Sequence, residues 1–181
     1  ESIQSVTAPD DERDFSRSVA ITSSIYPDPD THIEVVTYGQ GGDAMAGTFT
    51  AMTGPGTKLT RPLKWLAAIL RHPLRTVRML IPHRWSQRTV ILLVMQTVDA
   101  AMHFRPKRKL LGGVRLTTEQ DPGRPNPTYI PAAEKVARWF ERRTGGVAQS
   151  AVTESVRNIP STAHILGGAV VGADPEHGVV D

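Results

Sequence analysis

The sequence predicts an α+β chain, and three observations carry that prediction. Two runs rich in β-branched residues flank the dense turn signal Tyr26-Pro27-Asp28-Pro29-Asp30; the run RTVILLVMQTV at 88–98 is apolar on both alternating faces; and the segments 57–81 and 132–143 read as helices. With 181 residues the chain is long enough for one domain that buries about 70% of its unfolded surface. Hydrophobic content of 39% and charged content of 22% place it with globular chains, not disordered ones.

The first fifteen residues are polar and acidic and include Ala8-Pro9-Asp10-Asp11, which predicts an irregular start. Ser18–Ile25 and Thr31–Tyr38 then form a β-hairpin closed by the five-residue loop 26–30. In its second strand Ile33, Val35 and Thr37 alternate with His32, Glu34 and Val36, so one face is wet near its start and His32 reads as a surface residue. Gly39-Gln40-Gly41-Gly42-Asp43-Ala44 fits the GxGxxA pattern of dinucleotide sites. That mechanism needs an acid about 20 residues on for the ribose, and residues 61–65 read Arg-Pro-Leu-Lys-Trp, so the segment reads as a turn.

In 57–81, Leu63, Leu66, Ile69, Leu70, Leu74 and Val77 make an apolar stripe, with Lys64, Arg71, Arg75 and Arg78 on the other side. Thr60 is the expected N-cap, and Pro73 should divide the helix. The stripe either packs on its own domain or, with Trp65 and the bases flanking it, meets an anionic membrane surface or a greasy substrate. The strand at 88–98 is expected to be buried on both sides, and Gln96 near its end either ties down a neighbouring backbone or lines a pocket. Phe104-Arg105-Pro106-Lys107-Arg108-Lys109 has the charge of a nucleic-acid or phospholipid patch, but no nucleic-acid motif surrounds it and it reads as a solvated hairpin tip. A strand pair around Gly112-Gly113 at 110–118, a Pro-rich loop at 121–131 and a helix at 132–143 stopped by Gly145-Gly146 follow.

The net charge of +3 hides a block pattern: residues 1–43 sum to −7, residues 44–118 to +12 with Asp99 their single acid, and residues 119–181 to −2. The absence of cysteine excludes a disulfide scaffold, a zinc ribbon, a thiol nucleophile and an iron–sulfur centre. No GxSxG elbow or HExxH helix occurs, and no metal ligand set is expected. The longest strongly apolar run, Val90–Met95, is far shorter than the roughly 18 residues of a membrane span. No signal peptide is visible, and the expected location is cytoplasmic or peripheral to a membrane. Both ends read as cut, which predicts a segment of a longer chain.

The chemistry-bearing stretch is Asn158–Asp181. His164 precedes the paired glycines Gly167 and Gly168, which sets a titratable imidazole beside backbone that a ligand can approach closely. Thr162-Ala163-His164-Ile165-Leu166-Gly167-Gly168 followed by Gly178-Val179-Val180-Asp181 resembles the active-site histidine motif of the glucose-methanol-choline (GMC) flavin oxidoreductases, in their cholesterol-oxidase-like branch. The stretches 19–34, 84–99, 125–131 and 158–168 are similar to that branch in order and spacing, so the resemblance covers essentially the whole chain. Ile165 and Ala169 depart from the Pro and the Cys or Thr of many relatives.

The resemblance implies a mostly antiparallel sheet flanked by helices, with residues 1–157 as the substrate-binding domain and 158–181 as the start of the catalytic, FAD-proximal segment. The FAD-binding Rossmann part would lie outside this chain, and the isolated segment would be inactive. It implies an FAD enzyme that oxidises the CH–OH group of a sterol or other lipophilic alcohol. His164 would hydrogen-bond the substrate hydroxyl and either take its proton or position that proton for another base, roles to which an imidazole is suited. Gly167 and Gly168 would lie at the cofactor, and Met95 and Gln96 would line the substrate pocket. The basic stretch 58–84 would gain a role in peripheral membrane contact, with no nucleic-acid partner. The competing reading is a non-catalytic basic module that binds an anionic membrane or a nucleic acid.

Overall fold

A computed structural model describes residues 1–9, 14–81, 83–110, 112–162, 164 and 171–178, the side chain of Leu80 excepted. Six strands form one antiparallel sheet: β1 (Ser2–Thr7), β2 (Ile21–Asp28), β3 (Thr31–Val36), β4 (Phe49–Ala51), β5 (Thr89–Gln96) and, late in the chain, a strand at Val147–Ala151. A separate hairpin of β6 (Met102–Arg108) and β7 (Val114–Gln120) precedes that last strand, which is therefore β8. The order across the sheet is β2-β3-β5-β1-β8-β4. The helices are α1 (Thr60–Arg71), α2 (Pro73–Leu80), α3 (Trp85–Arg88), α4 (Pro131–Thr144) and α5 (Val152–Arg157). The architecture is α+β, a mostly antiparallel sheet flanked by helices, as the sequence implied.

Alternation along the central strands sorts the side chains into two layers. Val6, Ile33, Val35, Leu92 and Val94 pack against Ile130, Ala133 and Ala137. The two alanines, four residues apart on α4, let that helix lie close on the sheet. On the other face Ile91 packs with Ala46, Phe49 and Trp85 in a buried cluster, and Ile3, Val36, Met45 and Leu93 pack against it while themselves only partly buried. The strand at 88–98 is thus closed on one side and half-covered on the other.

The irregular start expected for residues 1–15 is corrected by β1, which sits between β5 and β8. Its segment, SIQSVT, buries Ser2, Gln4 and Ser5 beside Val6; the two hydroxyls and Gln4 Nε2 are hydrogen-bonded, while Gln4 Oε1 has no partner among the described residues. β8 likewise buries Gln149 and Ser150. The β2–β3 turn is also tighter than the expected loop: Asp28 pairs with Thr31, and the Asp30 N–H donates to Asp28 Oδ1 at 3.0 Å. Pro27 is accommodated within β2 because β2 is an exposed edge strand.

Gly42–Thr48 folds as a short 3₁₀ helix after Gly41, whose φ of 95° suits glycine. Asp43 within it accepts from the Ser86 N–H and Oγ, both at 2.8 Å, and these bonds hold its carboxyl below the usual range. The expected strand pair at 110–118 lies instead at 102–108 and 114–120, because Gly112 (φ 88°) and Gly113 (φ 82°) form the turn between them. The basic run 104–109 is therefore mostly strand.

Pro73 divides the basic helical segment as expected, with His72 between α1 and α2. Capping differs: the N-cap is Leu59, which makes no side-chain capping bond, and Thr57 Oγ1 accepts from the N–H groups of Leu59 (3.3 Å) and Thr60 (3.2 Å) just ahead of the helix. Of the two orientations that the sequence leaves open, the structure takes the outward one. The apolar stripe points to solvent, and the helices are held down by Arg61, by Trp65 Nε1 donating to Thr50 Oγ1 at 2.8 Å, and by Arg75 paired with Glu141.

Glu141 also accepts from Arg138 Nη1 at 3.0 Å and from the Ala148 N–H at 3.2 Å, so α2, α4 and β8 meet on one carboxylate. Burial acts to raise its pKa, but these donors and the two guanidinium charges leave it lowered. A carboxylate lowered in the fold stabilises it above the unfolded value and loses that contribution as pH falls through the folded value. Glu141→Gln in the full-length protein is expected to cost about 1–3 kcal/mol near neutral pH. Unfolding measured across pH should show the gap closing below about pH 4.

Candidate functional site

Register places Met95 and Gln96 at the end of the sheet where β1 begins. Ser2 pairs with Val94 and His32 with Met95. Glu1 therefore precedes β1 at the end where β5 carries Met95 and Gln96. Strand parity puts Glu1, Ile3, His32, Glu34, Leu93 and Met95 on one face. All except Glu1 belong to strands in which these positions are half-buried while their neighbours on the opposite face are closed, Gln96 excepted. The result is a partly open shelf with an apolar floor of Ile3, Leu93 and Met95.

His164 stands at the rim of this shelf. Its Nδ1 lies 2.8 Å from Glu1 Oε1, and its side chain is 45% exposed. Thr162 fixes the backbone there, accepting from the His164 N–H at 3.0 Å and donating to its carbonyl at 2.6 Å. With the Glu1 carboxylate accepting from Nδ1–H, the neutral ring carries its lone pair on Nε2. Along the shelf, His32 stacks on Tyr26 with ring centroids 4.7 Å apart, and its Nε2 lies 3.8 Å from Glu34 Oε1.

Met95 and Gln96 are consecutive strand residues and point to opposite faces. Met95 floors the shelf. Gln96 Nε2 donates to Thr31 Oγ1 at 3.2 Å on the other side. Gly167 and Gly168, like Ile165 and Ala169, lie outside the described residues.

Both partners of the Glu1–His164 contact are braced from α5, which the sequence reading did not assign. Glu154 accepts from Ser2 Oγ (2.7 Å), the Ile3 N–H (2.8 Å) and Gln4 Nε2 (3.1 Å), which fixes the strand start that carries Glu1. Burial pushes the Glu154 carboxyl above its ordinary range, against the opposing pull of Ser2, Ile3 and the Arg61 charge. Arg61, only 3% exposed, donates to the carbonyls of Gly54 (3.3 Å), Thr128 (2.9 Å) and Glu154 (2.7 Å) and to Asn158 Oδ1 (3.1 Å). Asn158, at φ 56°, turns the chain out of α5 toward His164. Charge counting hid this role, because it scored Arg61 as one more base of a surface block. A cue was present in the lack of any acid within 44–98 to balance it on the surface.

Among the described residues no group of three or more His, Asp or Glu side chains could hold a metal ion. A mainly apolar concavity of about 340 Å³ borders Val6, Val35, Thr37, Val90 and Phe140, toward the opposite end of the sheet from Glu1. It does not include the His164 rim.

The chain is 48% identical over 172 residues to the cholesterol oxidase of Mycobacterium tuberculosis, in strains CDC 1551 / Oshkosh and ATCC 25618 / H37Rv. It is 42% identical over 174 residues to a cholesterol oxidase of Acinetobacter baumannii. This chain is similar to a segment of cholesterol oxidases. Each match covers 93% of the chain and 30% of the relative, so the chain spans under a third of the length of these cholesterol oxidases. No protein-family model matches it, and no solved structure does.

Proposed function

We propose that the full-length protein is an FAD-dependent oxidoreductase of the GMC type that oxidises the CH–OH group of a sterol-like or other lipophilic alcohol. In this reading residues 1–157 form the substrate-binding domain, and 158–181 begin the catalytic segment. The observation that carries the reading is His164, held by Glu1 at the rim of a half-open apolar shelf, in a chain 48% identical to a segment of cholesterol oxidases.

The described residues suit a lipophilic alcohol. Ile3, Leu93 and Met95 offer a flat apolar surface to a ring system, and the His164 imidazole is exposed beside it. Gly167 and Gly168 would let the backbone approach the cofactor closely. FAD, when bound, supplies the acceptor for the hydride that leaves the carbinol carbon. The chain's own part is proton handling and placement. The Glu1 carboxylate holds Nδ1–H, so Nε2 faces the hydroxyl and accepts its proton as the carbonyl forms. The shelf holds the apolar body of the alcohol, with Met95 as a compliant contact. Gln96, bonded to Thr31, braces the strand end that presents Met95.

The test is anaerobic titration of the purified full-length protein with cholesterol in detergent micelles. Loss of the visible flavin absorbance on mixing is the expected result. A protein that carries no flavin, or whose flavin is not bleached by cholesterol or by other lipophilic alcohols, would overturn the reading.

A further inference from the structure

The α1–α2 segment exposes a continuous apolar ridge. Leu59 (81% exposed), Leu63, Leu66, Leu70 (70%), Leu74 (79%), Val77 and Ile81 recur three and four residues apart and all face solvent. Soluble chains do not leave large apolar patches uncovered without a partner. The helices' inward side is already satisfied by Arg61, Trp65 and Arg75, so the ridge is not held for packing on its own sheet.

Charge identifies what covers it. Lys64, Arg71 and Arg78 each follow a ridge residue by one position, about 100° around the helix, and form an exposed basic line along one flank. Residues 57–88 contain no Asp or Glu, and Arg71 and Arg78 are without an ion-pair partner among the described residues. An apolar ridge with a basic flank and no acid matches the boundary between anionic headgroups and acyl chains, where a helix lies in the interface plane. No helix among the described residues is long and apolar enough to cross a membrane, which leaves docking on the surface as the mode for this segment.

We infer that α1 and α2 are a docking surface for an anionic lipid bilayer, with the leucine ridge entering the acyl boundary and Lys64, Arg71 and Arg78 meeting lipid phosphates. The inference rests on these residues alone and holds whether or not the alcohol is a sterol. Arg61, at the first turn of α1, links this surface to Asn158 and so to the segment that carries His164.

The test is cosedimentation of the full-length protein with vesicles of phosphatidylcholine containing phosphatidylglycerol, and with vesicles of phosphatidylcholine alone. Binding should be strong on the anionic vesicles, weaker on the neutral ones, and reduced by salt. Arg71→Gln with Arg78→Gln should weaken anionic binding about 25-fold, roughly five-fold for each charge. Leu70→Asp with Leu74→Asp should abolish binding to both vesicle types without lowering the thermal midpoint. Failure of the wild type to bind anionic vesicles overturns the inference. So does a leucine variant that binds as the wild type does, or one that loses thermal stability, which would mean that the remainder of the polypeptide covers the ridge. Flavin bleaching by micellar cholesterol should be unchanged in both variants, so this result is read separately from that of the proposed activity.

Discussion

His164→Ala in the full-length protein is expected to slow alcohol-dependent flavin reduction by about 10²–10⁴-fold, while the flavin absorbance and the thermal midpoint stay where they are. The imidazole is nearly half exposed, and its ring bonds to Glu1 alone among the described residues, so its removal leaves no buried cavity and no orphaned core group. What is lost is the imidazole at the rim, and with it the group proposed to accept the hydroxyl proton. Rapid mixing under anaerobic conditions measures the step directly, and an unchanged reduction rate removes His164 from the chemistry. Glu1→Gln is the companion variant. Its amide oxygen can still accept from Nδ1–H and so hold the ring in place, so the loss should be only a few-fold. A Glu1→Gln loss as large as that of His164→Ala would mean that the carboxylate itself is the base.

Apolar periodicity made part of this architecture legible. The run at 89–96, the helix ended by Gly145 at φ 66°, and the division at Pro73 each depend on local chemistry that the sequence displays. β1 and β8 were hidden because their buried positions carry Ser2, Gln4, Ser5, Gln149 and Ser150. Such residues read as polar loop until their partners, 140 or more positions away, are known; Ser5 Oγ meets Gln149 Oε1 at 3.4 Å. The orientation of α1 stays open in the sequence for a related reason. A helical stripe shows that two faces differ, but which face is inward was decided by Arg61 and Trp65, whose partners lie in distant segments. His164 was visible as a motif, whereas Glu1 was not, because it stands just before the strand that polarity concealed.

Arg61→Ala is expected to destabilise the full-length protein by about 3–5 kcal/mol, since it removes a buried cation together with four hydrogen bonds and leaves carbonyls of three segments without a donor. Calorimetric unfolding checks this, and a change below about 1 kcal/mol would show that water replaces the guanidinium without loss. A loss of stability would not by itself separate a brace for the fold from a brace for His164, and Arg61→Lys makes that separation. Lysine keeps the charge but cannot reach Thr128, Glu154 and Asn158 with one planar fork. Most stability should therefore survive while Asn158 is released. Flavin reduction should then slow with the apparent alcohol affinity unchanged, because the shelf of Ile3, Leu93 and Met95 is untouched and only the rim has shifted. Glu154 acts from the other side with the opposite pH dependence to Glu141. Its carboxyl is raised by burial, so its neutral form suits the fold, and its contribution is lost as pH climbs from the unfolded value of about 4.5 through the higher folded value. Glu154→Gln escapes that loss, and its amide can turn toward the unpartnered Gln4 Oε1. The variant should therefore gain on the wild type as pH rises. Glu154→Ala, which strands the donors of Ser2, Ile3 and Gln4, should lose stability at every pH.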